Sequence, residues 1–259
     1  MARLLGTVTL IFLSACATHS VPIVDPHPPG CEISVCLAGA WTLENGGNPD
    51  LLAMCEQLPG LVRDCRGRTC HAAFNMHRAD QASDAVFAAL DTDADKRLTH
   101  ADGTCSVTVV GFSWGGIGAA RAFDWTERDD IEPSRRVIDR LYLIEPFRWP
   151  RPQTVVIPNN VETAKVFRRS VVGDGDCSQR SLFGPYIGVA PTCDQAECTD
   201  VDFSRWGRTH FLLLNSEPVS GSRAGHCWAV NFSAPIILAE IHEQWMPDSV
   251  KDVLEASEL

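Results

Sequence analysis

The segment of residues 106–123 constrains the fold more than any other. Its first half is an apolar run rich in β-branched residues, which indicates a strand buried on both faces. The run ends at Gly111, and small residues that can begin a helix follow it directly. Ser113 lies at the bend, inside the pattern Gly-x-Ser-x-Gly, where glycines permit a tight turn and leave the hydroxyl projecting above a sheet. The segment therefore predicts strand, sharp turn and helix, with a candidate nucleophile at the turn.

Strand and helix patterns alternate along the rest of the chain. We predict strands at 32–38, 70–76, 141–147, 163–172 and 211–214, and helices at 49–58, 80–90 and 235–244. Such alternation favours an α/β fold, with a mainly parallel sheet flanked by helices. A chain of 259 residues suits one such domain, which we place at residues 31–259.

The first 30 residues are predicted to precede the domain. Arg3, the apolar run 4–13 and the pattern Leu-Ser-Ala-Cys ending at Cys16 resemble a bacterial lipoprotein signal over residues 1–15. Cys16 would then be the acylated first residue, and four prolines indicate an extended tether over residues 16–30. We therefore expect a protein of the cell envelope that is held at a membrane by its lipid, and Ala17 favours the outer membrane. The alternative is an ordinary signal peptide in which Cys16 is incidental.

Ten cysteines follow Cys16. An even number in an exported chain favours disulfides over free thiols, and we expect disulfide-pinned loops. Metal ligation is the competing interpretation, but no supporting histidine stands at zinc-like spacing. We predict local bridges within two groups, Cys55, Cys65 and Cys70, and Cys177, Cys193 and Cys198.

An acidic loop at residues 91–102 is a candidate structural Ca²⁺ site inserted into the domain. Carboxylates stand at its positions 1, 3, 5 and 12, as in an EF-hand loop, and position 7 contributes a backbone carbonyl in such loops. Lys96 stands where glycine is expected, and an aspartate replaces the final glutamate, so reduced affinity is expected. A solvated acidic connector is the alternative. The candidate ligands are Asp91, Asp93, Asp95, Arg97 and Asp102.

The strand, turn and helix around Ser113 resemble the nucleophile elbow of the α/β-hydrolases. The resemblance covers roughly residues 31–246 and implies that fold, with a triad in the chain order serine, acid, histidine. It gives His226 the role of general base, because His226 falls between the last predicted strand and the closing helix. Within the predicted domain, His71, His77 and His100 precede the serine, His210 opens the last predicted strand, and His242 lies in the closing helix.

The triad acid stays open between two strand ends. Asp174 and Asp176 follow the later strand, in a turn that resembles the commoner family arrangement, and Asp174 is the first choice. Glu145 follows the strand next after the serine, in a Glu-Pro step that resembles some lipases. For the oxyanion hole, the resemblance implies the backbone N–H of Trp114 and a second amide near Trp41, which we choose over Ala40.

These features together predict a lipid-anchored serine hydrolase that cleaves carboxylic esters. It would be esterase-like or lipase-like, would act on a small-molecule or lipid ester, and would require no cofactor for catalysis. A net charge of −11 argues against nucleic acid as a partner. The alternative function is a non-catalytic surface-binding lipoprotein that keeps the same scaffold.

Overall fold

The computed structural model describes residues 31–39, 48–66, 68–147, 154–170, 188–203, 211–214, 217–220, 226 and 229–242. The helices are α1 (Pro49–Cys55), α2 (Ala79–Leu90), α3 (Trp114–Ala122) and α4 (Ala229–His242). The strands are β1 (Glu32–Ala38), β2 (Leu61–Val62), β3 (Asp64–Arg66), β4 (Thr69–His71), β5 (Phe74–Asn75), β6 (Ser106–Phe112), β7 (Ile138–Ile144), β8 (Thr154–Val156), β9 (Val161–Arg168), β10 (Ala190–Thr192), β11 (Glu197–Asp202), β12 (Phe211–Leu214) and β13 (Glu217–Ser220).

A parallel sheet forms the centre of the molecule. Its strands lie in the order β11, β9, β7, β6 and β1, and every pairing among them is parallel. Beyond β1, the short strands β2 and β5 pair with its first and last parts respectively, also in parallel. The predicted α/β architecture with a mainly parallel sheet is therefore confirmed.

Helices cover both faces of this sheet. Helices α2 and α3 pack on one face, and α1 and α4 pack on the other. Along β1, Val35 and Leu37 belong to the first apolar cluster, whereas Cys36 and Ala38 belong to the second. Because successive strand residues point to opposite faces, a strand covered on both sides needs an unbroken apolar run, which is the pattern in β1 and β6.

Two predicted strands and one region predicted to be a loop differ from the structure. Region 70–76 is two short strands, because β4 turns back on β3 while β5 joins the main sheet, and a periodicity of two cannot distinguish these cases. Region 178–208, which we predicted to be a disulfide-pinned loop, contains β10 and β11. Strand β11 lies at the edge of the main sheet, and its largely polar sequence lacks the apolar pattern by which a strand is predicted. Strand β12, predicted in the main sheet, pairs antiparallel with β13 in a separate ribbon.

Four disulfides join cysteines of the described residues. Cys65–Cys70 and Cys193–Cys198 are the local bridges that the sequence predicts. The grouping was wrong for Cys55, which bonds Cys36 because α1 packs against β1. Cys31 and Cys105 are 74 residues apart and meet because β1 and β6 are neighbours that begin at the same edge. Cys177 and Cys227 lie outside the described residues.

The predicted signal at 1–15 and tether at 16–30, including Cys16, lie outside the described residues. Within the described part, no helix combines the length and apolar character needed to cross a bilayer.

Candidate active site

Four neighbouring strands end at the same edge of the main sheet. The first residue after each is Gly39 after β1, Ser113 after β6, Glu145 after β7 and Arg169 after β9. Adjacent strands of a sheet lie about 4.8 Å apart, so these residues stand side by side in that order. The carboxyl edge of a parallel sheet is where ligand and catalytic groups gather.

The backbone of Ser113 has a conformation that few non-glycine residues adopt. Its φ is 56° and its ψ is −126°. The Ser113 N–H donates to the carbonyl oxygen of Ile144 at 2.8 Å, and its own carbonyl accepts from the N–H groups of Gly116 (3.0 Å) and Phe147 (3.1 Å). Such strain persists where the surroundings over-determine it, and these bonds tie the serine to both β7 and α3.

Two glycines make room for the bend. A Cβ at Gly115 would lie 2.6 Å from the carbonyl oxygens of Leu37 and Ala38, so α3 approaches β1 too closely for a side chain there. A Cβ at Gly39 would lie 2.7 Å from Cβ and 3.1 Å from Oγ of Ser113. The backbone of Gly39 therefore lies directly against the serine side chain.

His226 joins the serine to Glu145. The Nε2 atom of His226 lies 2.8 Å from Oγ of Ser113, and its Nδ1 atom lies 3.2 Å from Oε2 of Glu145. A carboxylate only accepts, so we assign the proton to Nδ1, which leaves Nε2 to accept the serine hydroxyl proton. The ring of Phe112 stacks on the imidazole with centroids 5.0 Å apart. All three polar side chains are buried, with exposures of 7% for Ser113, 6% for His226 and 0% for Glu145.

Backbone conformation and a backbone hydrogen bond also fix the position of Glu145. Its φ is 46°, and its N–H donates to the carbonyl of Phe167 at 2.7 Å. The segment at Gly188 covers it, since a Cβ on that glycine would lie 3.2 Å from Cα of Glu145. Of the candidate acids, Glu145 is the one that the structure places beside His226. Asp174 and Asp176 lie outside the described residues.

Arg169 belongs to the same group, and sequence reasoning missed it. Its N–H donates to Oε1 of Glu145 at 2.5 Å, and its Nη2 lies 3.1 Å from Oε2. Only 1% of Arg169 is exposed, so an arginine and a glutamate are buried as a pair. A usable signal was present, because Arg169 follows the buried end of β9 just as Ser113 and Glu145 follow theirs.

The helix after His226 is anchored on the sheet by polar contacts. The hydroxyl of Tyr142 on β7 donates to Oε2 of Glu240 on α4 at 3.0 Å, and Nζ of Lys165 on β9 donates to Oε1 of Glu240. Burial, followed by the charge of Glu240, raises the pKa of Tyr142 far above its ordinary value. The phenol therefore stays neutral and keeps donating.

Trp114 is the first residue of α3, directly after the serine. The first N–H groups of a helix have no acceptor within the helix and lie at its positive end, so the Trp114 N–H suits a developing oxyanion. Trp41 lies outside the described residues, and Gly39 is the described residue of its segment nearest the serine. A cleft of about 210 Å³ on the outer side of α3 is lined by Met76, His77, Trp114, Ile117, Gly118 and Arg121, and neither Ser113, Glu145 nor His226 is among its lining residues.

The acidic loop brings three of its predicted ligands together. Carboxylate oxygens of Asp91, Asp93 and Asp95 lie within 4.8 Å of one another. They accept from N–H groups of the loop itself, including that of Lys96 at 2.9 Å from Asp91 and that of Arg97 at 2.7 Å from Asp95. The Asp95 N–H donates to Asp93, which favours the charged form, but desolvation and the charges of Asp95 and Asp102 outweigh it and raise the pKa of Asp93.

Asp102, the fourth predicted carboxylate ligand, is not one of that cluster of three and is buried. Its carboxylate accepts from the N–H groups of Thr99 at 2.8 Å and Thr92 at 3.0 Å, and it is 3% exposed. The Thr99 bond, followed by those from Thr92, lowers the pKa of Asp102. Lys96, at the position expected for glycine, has a φ of 67°, so the turn of such a loop forms without glycine.

Comparison of the chain with protein-family models, with curated proteins and with solved structures gives no match. Function is therefore inferred from the residues and distances described above.

Proposed function

We propose that this protein is a serine hydrolase of the α/β-hydrolase type that cleaves carboxylic esters. The observation that carries the proposal is the continuous chain of contacts from Ser113 through His226 to Glu145, with distances of 2.8 and 3.2 Å. Nucleophile, base and orienting acid within hydrogen-bond reach are what activation of a serine requires.

Each residue has a defined task in this mechanism. Ser113 Oγ attacks the ester carbonyl carbon while Nε2 of His226 takes its proton, and buried Glu145 stabilises the resulting imidazolium. The negative charge on the former carbonyl oxygen is stabilised by the Trp114 N–H at the start of α3. Collapse expels the alcohol, which takes the proton from Nε2. Water, activated by His226, then releases the acid from Ser113.

Fold and bond type are supported in different ways. The parallel sheet, the strained serine between β6 and α3, and the chain order Ser113, Glu145, His226 all favour the α/β-hydrolase fold. The choice of carboxylic esters rests on the resemblance of the elbow to that family.

A fluorophosphonate probe tests the proposal directly. The purified protein should be labelled at Ser113, as mapped by mass spectrometry, and should hydrolyse short p-nitrophenyl esters. Ser113→Ala should lose labelling and at least about 10⁴-fold in kcat/KM. The matched control is Ser106→Ala, at the start of the same strand, which should behave as wild type. A wild-type protein that is neither labelled nor active would favour the non-catalytic surface-binding alternative.

We also propose that Cys16 carries the lipid anchor and holds the hydrolase at the outer membrane. Support comes from the signal-like residues 1–15 and the proline-containing tether at 16–30. Metabolic labelling with an alkyne fatty acid should mark the wild type but not Cys16→Ser, and membrane fractionation should place the labelled form in the outer membrane. Label that persists in the variant would contradict this assignment.

A further inference from the structure

We propose that Arg169 is a positioning residue for the hydrolysis, which fixes the carboxylate of Glu145 in the orientation that meets His226 and supplies the buried counter-charge of that carboxylate. The inference rests on the proposed function, because it concerns the same serine, histidine and glutamate. It adds a fourth member to the site, taken from the strand next to the one that supplies the acid.

The contacts define the positioning role. Arg169 holds both oxygens of Glu145, since its backbone N–H donates to Oε1 at 2.5 Å and its guanidinium lies 3.1 Å from Oε2. Oε2 is also the atom that lies 3.2 Å from Nδ1 of His226. One oxygen thus serves the imidazole while the other is occupied, so the carboxylate has a single orientation. A glutamate side chain has several rotatable bonds, and such anchoring keeps it from turning away from the histidine.

Charge defines the second part of the role. Glu145 and Arg169 are both fully buried, where a charge without a partner is strongly unfavourable. As a pair they largely offset each other's charge, so the guanidinium gives the carboxylate a buried counter-charge at the place where it meets His226.

Other charged groups near Glu145 come from β9 and β11. Arg168 lies against the same covering segment, but its guanidinium binds Asp200 on β11 through two bonds of 2.8 and 2.7 Å. Asp202, also on β11, accepts from the N–H of Ser170 at 3.1 Å. Arg168 and Arg169 therefore differ in their carboxylate partners, and only Arg169 contacts the acid of the site. That difference makes Arg168 a matched control.

The first experiment compares Arg169→Met with Arg168→Met. Both remove one positive charge from adjacent positions. In Arg169→Met, kcat of ester hydrolysis should fall about 100-fold with KM unchanged, whereas Arg168→Met should keep kcat within about threefold of wild type. An equal fall in kcat in the two variants, or no fall in either, overturns the inference.

The second experiment uses Arg169→Lys. This variant keeps the positive charge beside Glu145, so it should fold even if Arg169→Met does not. A lysine places its ammonium group differently from Nη2 of the guanidinium, so kcat should fall about 10-fold while KM stays unchanged. Rates are normalised to folded protein by circular dichroism. Wild-type kcat in this variant overturns the positioning role. An unlabelled and inactive wild type overturns the proposed function itself, and the inference with it.

Discussion

The carboxyl edge of the sheet and the acidic loop both contain a sequence motif, yet they are built in opposite ways. At the sheet edge, Ser113 contacts a histidine 113 residues away, and that histidine contacts a glutamate 81 residues away. In the loop, Asp91 and Asp93 accept from the N–H of Asp95, which is four and two residues away respectively. The edge is buried, whereas most of the loop is exposed.

Backbone strain occurs in both regions but has a different consequence in each. Among the described residues, the non-glycine residues with positive φ are Ser113 and Glu145 at the sheet edge, and Ala94 and Lys96 in the loop. At the edge, the strain aims two buried side chains at one imidazole. In the loop, it only closes a turn around exposed carboxylates. The proposed catalytic site thus differs from the loop in needing groups from distant parts of the chain. Removal of one of those groups should therefore reduce activity far more than removal of a loop carboxylate does.

The largest expected effect is on the acid. Glu145→Gln should lower kcat/KM by about 10³- to 10⁴-fold, because the imidazolium loses its buried counter-charge. Asp174→Asn is the matched comparison and should keep activity within about threefold of wild type. Ester turnover by folded protein, checked by a thermal melt, gives both values. Loss of activity in Asp174→Asn with retention in Glu145→Gln would show that the arrangement at the sheet edge is not the working one.

A smaller effect is expected from Gly39→Ala. The new Cβ would lie 2.7 Å from Cβ of Ser113, so the serine must shift, and misplacement of a nucleophile by a fraction of an ångström to an ångström costs about 100-fold in rate. Gly103→Ala tests whether any glycine substitution does this. That glycine lies next to the acidic loop with nothing within 4 Å of the added atom, and its φ of 70° confines the cost to stability. Unaltered ester turnover in Gly39→Ala would argue against the close approach.

In the loop, the expected loss is in stability and not in activity. Asp102→Ala leaves the N–H groups of Thr92 and Thr99 without their acceptor, which should cost roughly 2 kcal/mol and lower Tm by about 4–8 °C. Because the folded state lowers the pKa of Asp102, its stabilisation is present above the ordinary carboxyl pKa and is lost as the pH falls through the lower folded value. The difference in Tm between the wild type and Asp102→Ala should therefore become smaller below about pH 4. Reduced ester turnover per folded molecule of Asp102→Ala would contradict the expectation that the loop affects stability and not activity.

Calcium should produce the smallest change. If the loop binds Ca²⁺ with a Kd of about 1 mM, the weak end of the range for extracellular modules, about 2 mM Ca²⁺ should raise Tm by about 1–3 °C and leave kcat unchanged. Asp91→Asn should remove the increase, since it takes a carboxylate from the cluster of three. An equal increase in that variant, or no increase in the wild type, would identify the loop as a solvated acidic connector.

Prediction from sequence succeeded best where a property is local. The buried run before Ser113, the helix that begins at Pro49 and the two short-range disulfides depend on neighbouring residues, and each is visible as a pattern. His226 was selected from a family-like chain order and does lie beside the serine. The role of each residue in catalysis stays a prediction until activity is measured.

Prediction failed where several chain segments compete for one place. Glu145 and Asp174 both follow predicted strands, and the order of residues cannot show which strand neighbours β6. Arg169 was missed because an arginine at a strand end is ordinary until its neighbour proves to be a buried carboxylate. The Cys36–Cys55 bond was not predicted, because it depends on the packing of α1 against β1 and the spacing of the two cysteines in the sequence does not indicate that packing.

The amino-acid sequence alone determined most of the types of element and the sharp turn at Ser113, because propensity, periodicity and turn chemistry act over a few residues. Tertiary structure alone decided which strand ends stand side by side, and so which carboxylate meets His226 and which arginine meets that carboxylate. The physical reason is that parallel strand order is set by burial of whole faces across the domain, which no short stretch of residues records.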